Sequence, residues 1–218
     1  LLVIVASFFQ GSFGLGMKYM EPLKWEAWWI VHVTVAMIIF PILWAVFAVP
    51  NLFQVISNAP TEAVFLGMLF GFLWGVGGIL FGKSVPYIGL SLTYGVVMGL
   101  AASVGSIIPL MQVEDAFSNP ATTYVIIAVV IMLVGVAITA KAGIDRDKLI
   151  GDTKNPSNMI KGILIAVSCG VLSALLNVGF ANATPVALEA EKMGAITRNS
   201  SLAAWVVVLL GAFIMNLG

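Results

Sequence analysis

The side chains of this chain that could bind a polar solute are few, and they lie inside long uncharged runs. Gln10 and Ser12 lie in the first run, Ser173 and Asn177 in the sixth, and Trp74 in the middle of the third. In an apolar environment each polar group needs a partner, either another helix or a bound solute, although a serine can also bond to its own helix backbone. An indole face beside amide and hydroxyl groups suits a sugar. We therefore predict that these five residues bind the substrate.

Two ionisable residues are candidates for proton transfer. His32 lies about one turn inside the second run, and its unperturbed pKa of about 6.5 suits a group that gains and loses a proton. Glu26 lies just before the same run, where an extended side chain reaching the headgroups is the alternative explanation. The neighbouring Trp25, Trp28 and Trp29 are expected to form an interfacial aromatic belt.

The elements that must position these residues are membrane helices. The chain is 61% hydrophobic and only 9% charged, with a mean hydropathy of +1.08, whereas soluble domains carry about 25% charged residues. Its net charge of zero argues against a nucleic-acid partner. The single cysteine, Cys169, excludes an internal disulfide, and with only one histidine a zinc site is not expected. We predict no metal and no cofactor.

Seven uncharged runs predict seven helices and therefore an all-α, polytopic membrane helix bundle. These spans cover roughly residues 1–17, 27–49, 63–82, 87–111, 121–140, 162–182 and 199–218. The glycines of the third span recur every four residues, a spacing that lets another helix approach closely. We expect spans three and four to pack together through five glycines: Gly67, Gly71, Gly75, Gly95 and Gly99.

The loops differ in their positive charge. Eight of the ten Lys and Arg residues lie in the first, third and fifth loops: Lys18, Lys24, Lys83, Lys141, Arg146, Lys148, Lys154 and Lys161. The even loops hold only Lys192 and Arg198. The positive-inside rule therefore places the odd loops in the cytoplasm. The third loop is expected at residues 83–86, and Pro41 is expected to kink the second span.

A charged segment predicts a division of the chain into repeats. We assign residues 1–142 to a first five-helix repeat, 143–161 to a linker loop and 162–218 to the first two helices of a second repeat. An offset of 161 residues superposes span six on span one and pairs Ser12 with Ser173. A repeat with an odd number of spans would be inverted in the membrane, as in many secondary transporters.

Motifs in residues 74–111 point to a family. They contain Trp-Gly-x-Gly from Trp74, Phe-Gly at Phe81, Tyr-Ile-Gly-x-Ser from Tyr87 and Gly-x-x-x-Pro ending at Pro109. Together with Trp-Glu-x-x-Trp ending at Trp29, they resemble the bacterial L-rhamnose–proton symporter family of the drug/metabolite transporter superfamily. The resemblance covers nearly the whole chain. It implies ten helices in two inverted repeats, of which this chain holds seven, and proton-coupled sugar uptake across the cytoplasmic (inner) membrane.

Other functions stay open at this level. A transporter of another small solute in the same superfamily is the alternative, and the glycine-rich faces would also serve a homo-oligomer or a structural subunit. The expected partners are a sugar, protons and the lipid bilayer, with no nucleic acid. No span carries paired Asp residues, His-Glu-x-x-His or a Ser–His pair, and none carries a filter or a charge ring. We therefore expect neither an enzyme nor a channel.

Overall fold

The computed structural model describes residues 4–9, 12, 19–20, 22, 25–111, 115–149 and 156–217, and their regular structure is helical throughout. We number the α-helices in chain order and note one π-helical turn and one 3-10 turn. They are α1 (Trp25–Val33), the π-turn (Thr34–Ile39), α2 (Phe40–Ala48), α3 (Leu52–Asn58), α4 (Thr61–Ile88), α5 (Leu90–Leu110), the 3-10 turn (Ala116–Ser118), α6 (Pro120–Leu149), α7 (Pro156–Asn182), α8 (Thr184–Lys192) and α9 (Thr197–Leu217).

Six helical stretches of the described residues are long and apolar enough to cross a membrane. They are Glu26–Ala48, Thr61–Ile88, Leu90–Leu110, Pro120–Arg146, Asn158–Lys192 and Thr197–Leu217. They correspond to spans two to seven, so the predicted all-α membrane bundle is confirmed. The first predicted span lies largely outside the described residues, although residues 4–9 and 12 are helical.

The connection between the third and fourth spans is shorter than predicted. Residues 83–86 are helical rather than a loop, and the break falls at Gly89, whose φ of 80° favours glycine. Ser84 is fully buried, with its Oγ 2.9 Å from the Phe81 carbonyl oxygen and 3.1 Å from Thr93 Oγ1 on the next helix. Because the Ser84 hydroxyl has hydrogen-bond partners inside the protein, the helix can continue through this polar residue.

The segment predicted as a linker loop, 143–161, is also mostly helical where it is described. Helix α6 continues to Leu149 and α7 begins at Pro156. A helix of 30 residues is about 45 Å long, so its charged end extends beyond an apolar membrane core of about 30 Å. Charge therefore marks where the helices leave the lipid rather than where they end.

The helices pack in an order that differs from the chain order. Helix α7 lies between α4 and α5, α9 packs on another side of α4, α6 packs on α5, and the π-turn and α2 pack on α9. The predicted pairing of spans three and four through their glycines is wrong. A Cβ at Gly71 would collide with the Val208 carbonyl of α9, and one at Gly75 would lie 2.9 Å from the Ala212 carbonyl oxygen.

The glycines of α5 meet a different helix again. Gly95 faces Thr139 and Gly99 faces Val136, both on α6. A row of small residues predicts that some helix comes close, but it does not specify which helix. The second span is interrupted by the π-turn, and Pro41 is the second residue of α2, the helix that follows. The kink expected at Pro41 stays a prediction.

Candidate functional site

A cavity of about 340 Å³ lies between α1, α4, α5 and α7, a volume within the range of about 300–1,000 Å³ that is typical of small-molecule sites. We call it the inner cavity. It is lined by Trp29, His32, Met37, Trp74, Gly77, Gly78, Phe81, Val97, Met98, Cys169 and Ser173. Its wall is mostly apolar and aromatic, with a few polar groups, as expected of a site for an amphipathic solute.

Two consecutive glycines of α4 shape one wall of the inner cavity. A Cβ at Gly77 would lie 3.1 Å from Ser173 Oγ, and a Cβ at Gly78 would lie 3.1 Å from Cζ2 of Trp29. Without side chains here, the serine and the indole can lie directly against the backbone of α4. Trp74 lies about one turn earlier on the same helix and packs with the buried residues Val33 and Met37.

The polar groups of the inner cavity come from α7 and α1. Cys169 and Ser173 are one turn apart on α7 and so share a face; the Cys169 thiol donates to the Gly77 carbonyl with Sγ···O 3.0 Å. His32 stacks with Trp28 at 5.0 Å and with Trp29 at 5.6 Å between ring centroids. His32 is therefore packed against two indole rings of its own helix.

A second and larger cavity, which we call the vestibule, has a volume of about 950 Å³. It is lined by Glu26, Trp29, Ile30, Ile79, Gly82, Lys83, Pro86, Tyr87, Lys161, Ile165, Asn216 and Leu217. The Lys161 ammonium lies 5.2 Å from the centroid of the Tyr87 ring. The vestibule therefore carries charge of both signs, whereas none of the residues that line the inner cavity is an Asp, Glu, Lys or Arg.

The structure brings together three of the predicted site residues. Trp74, Ser173 and His32 all line the inner cavity, and Glu26 lines the vestibule beside it. Their roles in substrate binding and proton coupling stay predictions.

The other predicted residues lie elsewhere. Asn177 does not line either cavity, and its amide instead contacts Gly105 of α5. The expected convergence of Trp74 and Asn177 on one cavity is therefore not observed. Ser12 Oγ donates to the Phe9 carbonyl at 3.0 Å, the local bond open to any helical serine. Gln10 lies outside the described residues.

Sequence reasoning missed the role of Trp29 in the site. We expected an interfacial belt, but Trp29 lines both cavities, and its indole N–H donates to Asn216 Oδ1 with N···O 2.6 Å. One signal was available, since Trp29 precedes His32 by three residues and therefore shares its helix face. Asn216 carried a signal as well, since it is a polar residue within the seventh apolar span, whereas Cys169 carried none. No group of three or more His, Cys, Asp or Glu residues in the described part of the chain could hold a metal ion.

Six apolar helices, glycine-mediated helix contacts and an internal cavity together define a multi-pass membrane protein. The family model described as L-rhamnose-proton symport protein (RhaT) matches residues 2–218. The chain therefore belongs to this family, which places it in the bacterial cytoplasmic (inner) membrane.

Two curated relatives support this assignment. The chain is 31% identical over 205 residues to an L-rhamnose-proton symporter of Mannheimia succiniciproducens, an alignment that covers 93% of this chain and 60% of the relative. It is 27% identical over 203 residues to an L-rhamnose-proton symporter of Yersinia pestis bv. Antiqua, covering 92% and 59%. The chain thus spans about three fifths of the length of these relatives. No solved structure matches it.

Proposed function

We propose that this chain forms part of a secondary active transporter that couples proton movement to the uptake of L-rhamnose or a related sugar. The observation that carries the proposal is the inner cavity, where Trp74, Ser173 and His32 from three different spans meet. The names of the curated relatives support the same substrate and the same coupling ion.

The cavity wall matches the chemistry of a deoxyhexose. Such a sugar has an apolar face of C–H and methyl groups and an edge of hydroxyl groups. The Trp74 indole supplies an apolar surface, and the Ser173 hydroxyl can both donate and accept a hydrogen bond. Among the described residues of the wall there is no Asp, Glu, Lys or Arg, which favours an uncharged solute, because a charged one would need a compensating partner.

Proton coupling requires a group whose protonation changes during the cycle. His32 is the first candidate, because an imidazole titrates near neutral pH and this one lines the same cavity as Trp74 and Ser173. Glu26 is the second candidate and lines the vestibule. In this scheme the protein catalyses no covalent reaction and needs no cofactor.

The decisive experiment is transport by the protein expressed from its complete gene and reconstituted in liposomes. An inward proton gradient should drive labelled L-rhamnose above its external concentration, and a protonophore should abolish this accumulation. A panel of unlabelled sugars then ranks specificity by competition. Accumulation of a different solute would favour the alternative transporter, and no gradient-driven uptake of any member of the panel would contradict the proposal.

The division into a first repeat at 1–142 and a second repeat from 162 also stands as a proposal. It is supported by the position of α7, the first helix after the charged segment, between two helices of the first part. Helices that intercalate in this way are expected where two repeats meet around a shared site.

A further inference from the structure

The inner cavity and the vestibule are separated by a thin boundary. Trp29 lines both cavities. A small cavity of about 40 Å³ shares Trp29 with both, Met37, Trp74 and Gly78 with the inner cavity, and Asn216 with the vestibule. Trp29 and Asn216 therefore lie where the two large cavities adjoin.

A hydrogen bond across the bundle holds this boundary. The Trp29 indole N–H donates to Asn216 Oδ1 at 2.6 Å, and the Asn216 amide donates to the Ala212 carbonyl at 2.8 Å. The second bond turns the amide group so that its oxygen faces the indole. Trp29 lies on α1 and Asn216 near the end of α9, so the bond joins segments far apart in the chain.

The Trp29 ring contacts Trp28 and His32 of its own helix, with ring centroids 5.7 Å and 5.6 Å away. On one side the ring meets only the backbone at Gly78, where a Cβ would lie 3.1 Å from Cζ2. Helix α1, which carries Trp29, ends at the π-turn Thr34–Ile39. Such turns interrupt the regular bonding of a helix and are frequent at functional sites, so the π-turn is the place where α1 would bend if it moved.

The charges of the vestibule indicate which side of the membrane it faces. Glu26, Lys83 and Lys161 line it, and all three adjoin the loops that the Lys and Arg bias assigns to the cytoplasm. Asn216 lies at the end of the seventh span, which by the same count also ends at the cytoplasmic side. The boundary therefore lies between the inner cavity and the cytoplasm.

We propose that Asn216 is a positioning residue that holds the Trp29 indole across the passage between the inner cavity and the vestibule, so that breaking this hydrogen bond opens the inner cavity to the cytoplasm. This proposal rests on the proposed transport function, because transport is what gives the passage a direction and a solute. Its test does not depend on which sugar is carried.

Cys169 provides a native reporter for the experiment. It is the only cysteine of the chain, it is buried, and it lines the inner cavity. A charged, membrane-impermeant methanethiosulfonate reagent is added to everted vesicles, which expose the cytoplasmic face, or to right-side-out vesicles. The rate of Cys169 modification, followed by mass spectrometry on the peptide that contains this residue, is then measured on the full protein for wild type, Asn216→Ala, Trp29→Phe and two control variants.

We expect Asn216→Ala and Trp29→Phe to raise the rate in everted vesicles by about tenfold, the population change that one net hydrogen bond can produce. Asn182→Ala removes an amide that donates to the Val178 carbonyl of its own helix at 2.8 Å and lines neither cavity, so it should react like wild type. Trp44→Phe, an exposed position on α2 of the same span, should do the same. A general loosening of the bundle would raise the rate from both sides, whereas an opened cytoplasmic gate raises it in everted vesicles only.

Unchanged rates in both test variants, or equal increases from the two sides, would overturn the proposal. If L-rhamnose is not transported but labelling rises as expected, the substrate assignment fails and the gate stands. If sugar accumulation is normal but labelling does not change, the transport function stands and the gate is rejected. Detergent chromatography of each variant identifies misfolded protein, and the conservative Trp29→Phe change keeps the test available if Asn216→Ala does not fold.

Discussion

Helix α4 uses glycine in two different ways along its length. At Gly71 and Gly75 a Cβ would meet backbone carbonyls of α9, whereas at Gly77 and Gly78 it would meet the Ser173 hydroxyl and the Trp29 ring. The first pair brings two backbones into contact. The second pair lines the inner cavity.

The difference lies in what the missing side chain would meet. Backbone atoms of a packed helix cannot move without shifting the whole helix, so the α4–α9 contact is rigid. The end of a side chain can rotate away, so the cavity wall can adjust. Neighbouring glycines on one helix can therefore have separate roles, one in helix packing and one in shaping a cavity, and mutations should separate them.

The largest effect is expected at the rigid contact. Gly71→Leu should prevent folding, because the leucine would collide with the Val208 carbonyl of α9. The measurement is the yield of monodisperse protein in detergent by size-exclusion chromatography. Gly135→Leu is the matched control, since nothing lies within 4 Å of a Cβ at that exposed glycine of α6. Equal yields of the two variants would refute the packing argument.

The next largest effect is expected at His32, which lines the inner cavity. If His32 carries the coupled proton, His32→Gln should abolish sugar accumulation driven by a proton gradient, because glutamine does not titrate. Downhill exchange of labelled sugar should continue, because the remainder of the cavity is intact. Glu26→Gln tests the second candidate in the same assay. Accumulation by both variants at the wild-type level would exclude both residues.

The sequence predicted the helices well because the length of an apolar run is a local property. It did not predict their partners: the glycines of α4 indicate a close contact, but only the folded chain shows that it is with α9. In the site, Trp74, His32 and Ser173 were recognised because each is aromatic or polar within an apolar span. Trp29 was misassigned because it lies near a span end, where an interfacial role and a cavity role look alike.

A smaller effect is expected at the aromatic wall. Trp74→Ala should weaken sugar binding by about 1–3 kcal/mol, as for the loss of a well-packed aromatic contact, which is roughly 5- to 150-fold in affinity. Binding to purified protein can be measured by calorimetry. Trp44→Ala controls for the loss of an indole, because Trp44 is 55% exposed on the outside of the bundle. The proposed site is wrong if both variants bind the sugar like wild type.

The smallest effect is expected at Ser173, and Asn177 on the same face of α7 serves as its comparison. Ser173 lines the inner cavity, whereas Asn177, one turn further along, contacts Gly105 of α5 instead. Ser173→Ala should remove one hydrogen bond to the sugar and cost about 0.5–1.5 kcal/mol of binding free energy. Asn177→Ala should leave affinity unchanged and lower the unfolding temperature, because it removes a contact between two helices. Loss of affinity in Asn177→Ala alone would mean that the sugar lies one turn further along α7, and the boundary between packing and binding on that helix would have to be moved accordingly.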